Sequence, residues 1–412
     1  MKKGISLVLV IFIIILFGVI AGLGVYWFID YKNSSISTVA STNDTVESNI
    51  QEPEVVIIED KSIEGKYDHD EYQQKIDKVA KDYGAVGVSV ALIENGKVID
   101  TFAYGSAIKG ELPMTEDTKV RIASISKVFL GIATMISVEN GTMDLDEDIG
   151  TYWGFKIGTH ASGDKITPRA LLTHTSSLYD TEDVSATYYN AMANRLKGSG
   201  IRSIVSGDMG YYYYNNYAMD VLGMTIELAN DKVLDDILSE RIFDSLGIDA
   251  AFYSGDVKDT SNIATIYQSD GSIGMSASRM KNWHNGKPGS VGWAFAGGVT
   301  ISVKDLGKMV AILSNDGMYE GTRYLSEESI KNLEYHEGNK TEEYWQCQPL
   351  CYETDKYGQE EFYYHTGSAY GVLSLAGYNP ETKQGIAVLT TGASKRDDVC
   401  GDIAEILLNI EI

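Results

Sequence analysis

The chain opens with an unbroken apolar stretch, Ile5 to Phe28, set behind Lys2 and Lys3 and ending in Tyr26 and Trp27. At about 1.5 Å per residue this is about 36 Å of helix, enough to cross a hydrocarbon core of about 30 Å. The flanking lysines and the interfacial Tyr-Trp pair predict a membrane anchor over residues 1–29 with the rest of the chain outside the cytoplasm. Thr38-Val39-Ala40 leaves a cleaved form open. Residues 30–66 are rich in Ser, Thr, Asn and acids, with one apolar patch at Val55 to Ile58, and predict a flexible extracytoplasmic linker.

The pattern then turns periodic. Asp68 is placed to cap a helix carrying Tyr72, Ile76, Val79 and Tyr83 at helical spacing and ended by Gly84. Val86, Val88, Val90 and Leu92 alternate strictly, Asn95-Gly96 follows, and Val98, Phe102 and Tyr104 resume the alternation, which predicts a hairpin with a type I′ turn. From Ile125 to Val138 the positions are apolar on nearly every side, which predicts a buried helix running to Asn140-Gly141. Near the C-terminus, Gly371 to Tyr378 and Gly385 to Thr391 read as two strands around "NPETKQ". Val399, Ile403, Ile406, Leu407 and Ile410 then form an amphipathic closing helix. Strands at both ends around a helix-rich middle predict one antiparallel sheet built from the two chain ends, flanked by helices, with a mostly helical second lobe: an α/β (α+β) domain over residues 67–412.

Charge narrows the partners. With 58 acidic against 34 basic residues the chain carries a formal charge of −24, which disfavours a nucleic-acid partner. No G-x-S-x-G elbow, phosphate-binding loop or H-E-x-x-H motif is present, and no ligand set suggests a metal or cofactor.

The candidate chemistry begins where polar residues give way to the buried helix. Ser124 lies three residues before Lys127, at the helix N-terminus, where the dipole and free N–H groups favour an oxyanion. Drawn toward the interior, Lys127 is expected to lose proton affinity and to take the serine proton. Taken alone, the pair reads more readily as a capping serine and a lysine reaching back to the surface. Two further motifs change that: Tyr214-Asn215-Asn216 in "YYYYNNYAMDVLG" and His365-Thr366-Gly367 in "YYHTG".

With these in order, the chain resembles the β-lactamase-like serine hydrolases: class C β-lactamases, serine DD-peptidases and related esterases and D-aminopeptidases. "ITPRALLTHTSSL" (166–178) and "FAGGVTISVKDLGKMV" (295–310) are similar to flanking segments of that family. The resemblance implies that Ser124 is the acylated nucleophile and that Lys127 and Tyr214 share the proton work. It further implies that Asn216 holds a substrate amide and orients Lys127, and that the backbone N–H groups of Ser124 and Ser368 form the oxyanion hole. Thr366 and Gly367 would line the substrate strand, with Gly367 leaving room for the substrate. His365 stands where class C β-lactamases carry lysine, and a histidine of ordinary pKa is only partly charged at pH 7, which favours a peptidase or esterase over a dedicated β-lactamase. Lys395 and Arg396, expected to open the closing helix, are candidates for the missing carboxylate-binding charge.

The activity the resemblance implies is hydrolysis of D-amino-acid-containing cell-wall peptides, in the manner of a D-Ala-D-Ala carboxypeptidase. β-Lactamase, esterase and D-aminopeptidase activities are the alternatives within the class, and a non-hydrolytic penicillin-binding sensor is the alternative outside it. Beyond Tyr214, the tyrosines at 188, 189, 211–213 and 217 are read as packing residues, with the lining of a cleft for sugar or peptide as the alternative, and His174 as a structural one. Cys347 and Cys351 are close enough in sequence for a small-loop disulfide, with Cys400 left single.

Overall fold

Asp68 accepts hydrogen bonds from the backbone N–H groups of Asp70 and Glu71 and so caps helix α1 (His69–Asp82), with Gly84 just beyond its end at φ +65°. The computed structural model describes residues 67–158, 165–198, 211–336, 340–394 and 398–410. The expected anchor (1–29), the linker (30–66) and the pair Lys395 and Arg396 lie outside the described residues. Among the described residues no helix is long and apolar enough to cross a membrane.

Strands β1 (Gly87–Glu94) and β2 (Lys97–Ile108) form the expected hairpin, with Asn95 at φ 51° and Gly96 at φ 69°, both positive as a type I′ turn requires. β3 (Leu112–Pro113) extends β2. The remaining strands of the sheet come from the C-terminal end: β6 (Trp345–Gln346), β7 (Cys351–Lys356), β8 (Gln359–Ala369), β9 (Val372–Tyr378) and β10 (Gly385–Thr391). Their order is β6-β7-β8-β9-β10-β1-β2-β3, antiparallel throughout. The two chain ends meet where β1 pairs with β10, from Gly87 opposite Thr391 to Ile93 opposite Gly385.

The alternation in β1 does not mark a face open to water. The strand is buried on both sides. Val88, Val90 and Leu92 pack with Ile76, Ala80, Ile403 and Leu407 beneath α1 and the closing helix α5 (Val399–Leu408). Ala91 and Ile93 face the opposite core, which contains Leu306 and Val310 of helix α4 (Val303–Ser314). The small residues allow that helix to approach closely: a Cβ on Gly307 would stand 2.9 Å from the Cβ of Ala91. The closing helix starts later than the sequence suggested. Asp398, accepting from the Gly401 N–H at 2.9 Å, is its cap.

The disulfide expectation is overturned, because all three cysteines are free and buried. Cys347 belongs to the core on the α4 side of the sheet, whereas Cys351 and Cys400 belong to the core under α1 and α5. Neighbours in sequence, Cys347 and Cys351 are thus committed to different cores.

The helical lobe is centred on α2 (Ser126–Glu139), in which every residue from Ser126 to Ser137 is buried, and on α3 (Asn216–Asn230) packed beside it. A short ladder between β4 (Lys119–Arg121) and β5 (Thr300–Ser302) leads the chain into α2.

Candidate active site

From β4 the chain passes through a single 3₁₀ turn, Ala123–Ile125, before α2 begins. Ala123 is left-handed, at φ 52°, a conformation that costs an alanine about 1–2 kcal/mol and is held here by its surroundings. Ser374 Oγ of β9 donates to the Ile122 carbonyl at 2.9 Å, and Ser126 Oγ donates to the Ala123 carbonyl at 2.6 Å while accepting from the Val299 N–H at 3.0 Å. Ser124 sits in the middle of this turn.

Lys127, one turn on, is fully buried. Its Nζ donates to Ser124 Oγ at 3.0 Å and to the Ala296 carbonyl at 2.8 Å. Tyr214 arrives from the other motif, and its hydroxyl donates to the same Ser124 Oγ at 3.0 Å. The amine also lies 5.0 Å from the centre of the Tyr214 ring. One hydroxyl oxygen is therefore flanked by two groups able to exchange protons with it, which is the geometry of an activated nucleophile.

His174 brackets Tyr214 from both sides. Its carbonyl accepts from the Tyr213 N–H at 2.9 Å, its Nδ1 accepts from the Asn215 N–H at 3.2 Å, and its ring lies 4.5 Å from the Tyr214 ring. Burial, with Lys127 and His365 nearby, holds His174 neutral, well below the ordinary histidine range. This agrees with the structural role expected of it. Three residues on, Ser177 is left-handed at φ 58°, a conformation that glycine adopts more readily than serine. Asn215 is buried, donates to the Leu178 carbonyl at 2.6 Å, and caps α3 by accepting from the Ala218 N–H at 2.7 Å.

Asn216, Ser124 and Ser368 line both arms of one cleft, with volumes of about 470 and 740 Å³. Arg121, Asp180, Asp220 and Tyr370 belong to the smaller arm, and Tyr214, His365 and Thr366 to the larger. The orientation of Lys127 expected from Asn216 is supplied by the Ala296 carbonyl. Ala296 belongs to the Ala-Gly-Gly segment, whose next residue, Gly297, accepts from Arg121 Nε at 2.9 Å. No spacing rule in the sequence points to that carbonyl.

Two expectations about the substrate strand need correction. A Cβ on Gly367 would stand 2.5 Å from the Ile122 carbonyl oxygen and 3.1 Å from the Ala123 Cβ, so the glycine lets β8 press against the nucleophile turn rather than making room for substrate. His365 is not a partial cation. Its ring is buried, and desolvation, reinforced by Lys127, pushes its pKa down to about 3, with Nδ1 donating to the Thr366 carbonyl at 2.6 Å. The tyrosines divide. Tyr217 is buried and Tyr189 stacks on Trp153, while Tyr188, Tyr211 and Tyr213 are exposed.

Sheet, helical lobe and the Ser-Lys-Tyr cluster between them define the fold of the serine β-lactamases and penicillin-binding proteins. The family model for beta-lactamase matches residues 72–409, and the chain belongs to that family of serine hydrolases. Among curated proteins it is 29% identical over 254 residues to an uncharacterized protein of Mycobacterium tuberculosis (54% of this chain, 61% of that one). It is 25% identical over 192 residues to penicillin-binding protein 4 of Amycolatopsis lactamdurans (44% and 48%). The chain thus spans about 61% or less of the length of these relatives. Among solved structures it superposes on the octameric penicillin-binding protein homologue from Pyrococcus abyssi with a TM-score of 0.67 at 22% identity (83% of this chain, 78% of that one). It superposes on the D-amino acid amidase from Ochrobactrum anthropi SV3 with a TM-score of 0.63 at 24% identity (82% and 95%). These likenesses are of fold.

Proposed function

We propose that this chain is a serine acyl-hydrolase of D-amino-acid-containing peptides and amides, held outside the cytoplasm by its N-terminal helix. The observation that carries the reading is the placement of Lys127 Nζ and Tyr214 OH each 3.0 Å from Ser124 Oγ. In the acylation step Ser124 Oγ bonds to the substrate carbonyl carbon and its proton passes to the Lys127 amine. The negative charge on the carbonyl oxygen is met by the N–H groups of Ser124 and Ser368. Collapse of that intermediate breaks the bond to the leaving group, which takes a proton through Tyr214. Water then repeats the sequence on the acyl-enzyme and releases the acid.

The neutral His365 bears on the substrate. It offers the cleft a hydrogen-bonding ring and no charge for a terminal carboxylate. Among the described residues lining the larger arm the lysine is Lys356, and it is ion-paired with Glu353 at 3.0 Å. This supports amides, esters and internal peptide bonds over free-carboxylate substrates, and so supports the amidase and esterase side of the family over the carboxypeptidase and β-lactamase side. The same fold serves a D-amino acid amidase in Ochrobactrum anthropi SV3, which is in keeping with that choice.

The test is turnover of D-amino-acid amides, D-Ala-D-Ala peptides, simple esters and a cephalosporin by the full chain in detergent. Amides or esters are expected to lead. A cephalosporin leading at pH 7 contradicts the substrate reading, and a stoichiometric burst without turnover marks a sensor. For the location, protease added to intact cells is expected to release the catalytic domain by cutting within residues 30–66, and protection of that domain contradicts it.

A further inference from the structure

A buried carboxyl group in the lining of the smaller arm is left over once these roles are assigned. Asp220 lies on α3 one turn beyond Asn216 and is 7% exposed. Among the described residues it makes no ion pair within 4.0 Å, so a salt bridge does not account for a charge-bearing group placed so deep. Among the described residues its side-chain hydrogen bond goes to the segment that holds Lys127. Asp220 Oδ1 accepts from the Ala296 N–H at 2.9 Å, while the Ala296 carbonyl accepts from Lys127 Nζ at 2.8 Å. Residue 296 is clamped on one side by the carboxylate and on the other delivers its oxygen to the amine. The segment follows a close approach, since a Cβ on Gly298 would stand 2.5 Å from the carbonyl oxygens of Ala294 and Phe252. With little slack in that packing, the N–H to Asp220 sets where the Ala296 carbonyl points.

We infer that Asp220 is a positioning residue of this active site: through Ala296 it aims the Lys127 amine at Ser124. The inference rests on the reading of Ser124 as nucleophile.

The charged and titratable groups that face it come from several elements: Lys127 from α2, Arg121 from β4, Asp180 from the segment before α3, Tyr217 from its own helix and Tyr253. Desolvation pushes the Asp220 pKa up to about 8, against the opposing pull of the Ala296 N–H, Lys127 and Arg121.

The experiment follows labelling of the full chain by a fluorophosphonate across pH 5–10. In that reaction Ser124 Oγ bonds to phosphorus, the P–F bond breaks and fluoride leaves, so the rate reports how readily Ser124 gives up its proton, whatever the natural substrate. Asp220→Ala frees Ala296 and is expected to slow labelling at least tenfold at every pH. Asp220→Asn keeps an oxygen for the Ala296 N–H but not the charge. It is expected to label within about threefold of the unmodified chain across the range, a rescue that a residue supporting the fold by charge or bulk alone does not give. An Asp220→Asn variant that labels no faster than Asp220→Ala overturns the inference, as does an Asp220→Ala variant that labels at the unmodified rate. Should Asp220→Ala fail to fold, Asp220→Asn decides, with a loss of tenfold or more overturning the inference. Ser124→Ala, run in parallel, separates the two claims: labelling that persists in it overturns the reading of Ser124 itself.

Discussion

Gly367→Ala tests how the nucleophile turn is held. The added methyl would stand 2.5 Å from the Ile122 carbonyl oxygen and 2.3 Å from Ser374 Oγ, against an ordinary contact of about 3.5 Å. Relief needs a movement of about 1 Å between β8 and the turn, and the turn cannot yield freely because Ser374 Oγ already holds that carbonyl at 2.9 Å. Overpacking of this kind costs about 1–3 kcal/mol of stability. A displacement of about 1 Å between Ser124 and the Ser368 N–H carries a rate loss of about 100-fold. Urea denaturation reads the first quantity and the rate of fluorophosphonate labelling the second. The alternative, that Gly367 makes room for substrate, predicts unchanged stability, unchanged labelling by a small probe and a raised KM for bulky substrates. That pattern refutes the clamp.

Two further perturbations bear on the same site. His365 and His174 are held neutral by burial, so below pH about 6.5 the unfolded chain binds protons that the folded chain does not. Their contribution is therefore fully present above that pH and is lost as pH falls toward about 3 for His365. For His365 the loss is about 1.4 kcal/mol per pH unit over that window. His365→Gln is expected to remove its share when urea midpoints at pH 7 and pH 4.5 are compared, and an equal loss in variant and unmodified chain refutes the assignment. Asn215→Ala is expected to cost about 1–2 kcal/mol through the lost α3 cap and to slow labelling by loosening Tyr214, with Asn215→Ser restoring most of both, as read by denaturation and labelling rate.

What could be read from the sequence was local chemistry. The Asn95-Gly96 hairpin, the Asp68 cap and the run of buried positions in α2 follow from turn preferences and periodicity, and the structure shows each of them. The three motifs likewise pointed to Ser124, Lys127 and Tyr214, which meet at one oxygen. What could not be read depends on contacts between distant segments. Burial of His365 is a property of the folded cleft, and it converts an expected partial cation into a neutral ring. The carbonyl that orients Lys127 comes from Ala296, and a backbone atom leaves no mark in the residue types. Gly367 was assigned to the substrate because the strand it belongs to lines the cleft, whereas its missing side chain answers to Ile122 on the other side. The four-residue spacing of Cys347 and Cys351 suggested a bond, but nothing in that spacing reveals that the sheet sends their side chains into opposite cores.

The central claim, that Ser124 is the nucleophile activated by Lys127 and Tyr214, is tested most directly by intact-mass and peptide mapping of the full chain after fluorophosphonate treatment. One adduct per chain is expected, on Ser124, absent in Ser124→Ala and formed about 100-fold or more slowly in Lys127→Ala and Tyr214→Phe. An adduct on any other residue, or labelling that survives in Ser124→Ala, contradicts the claim.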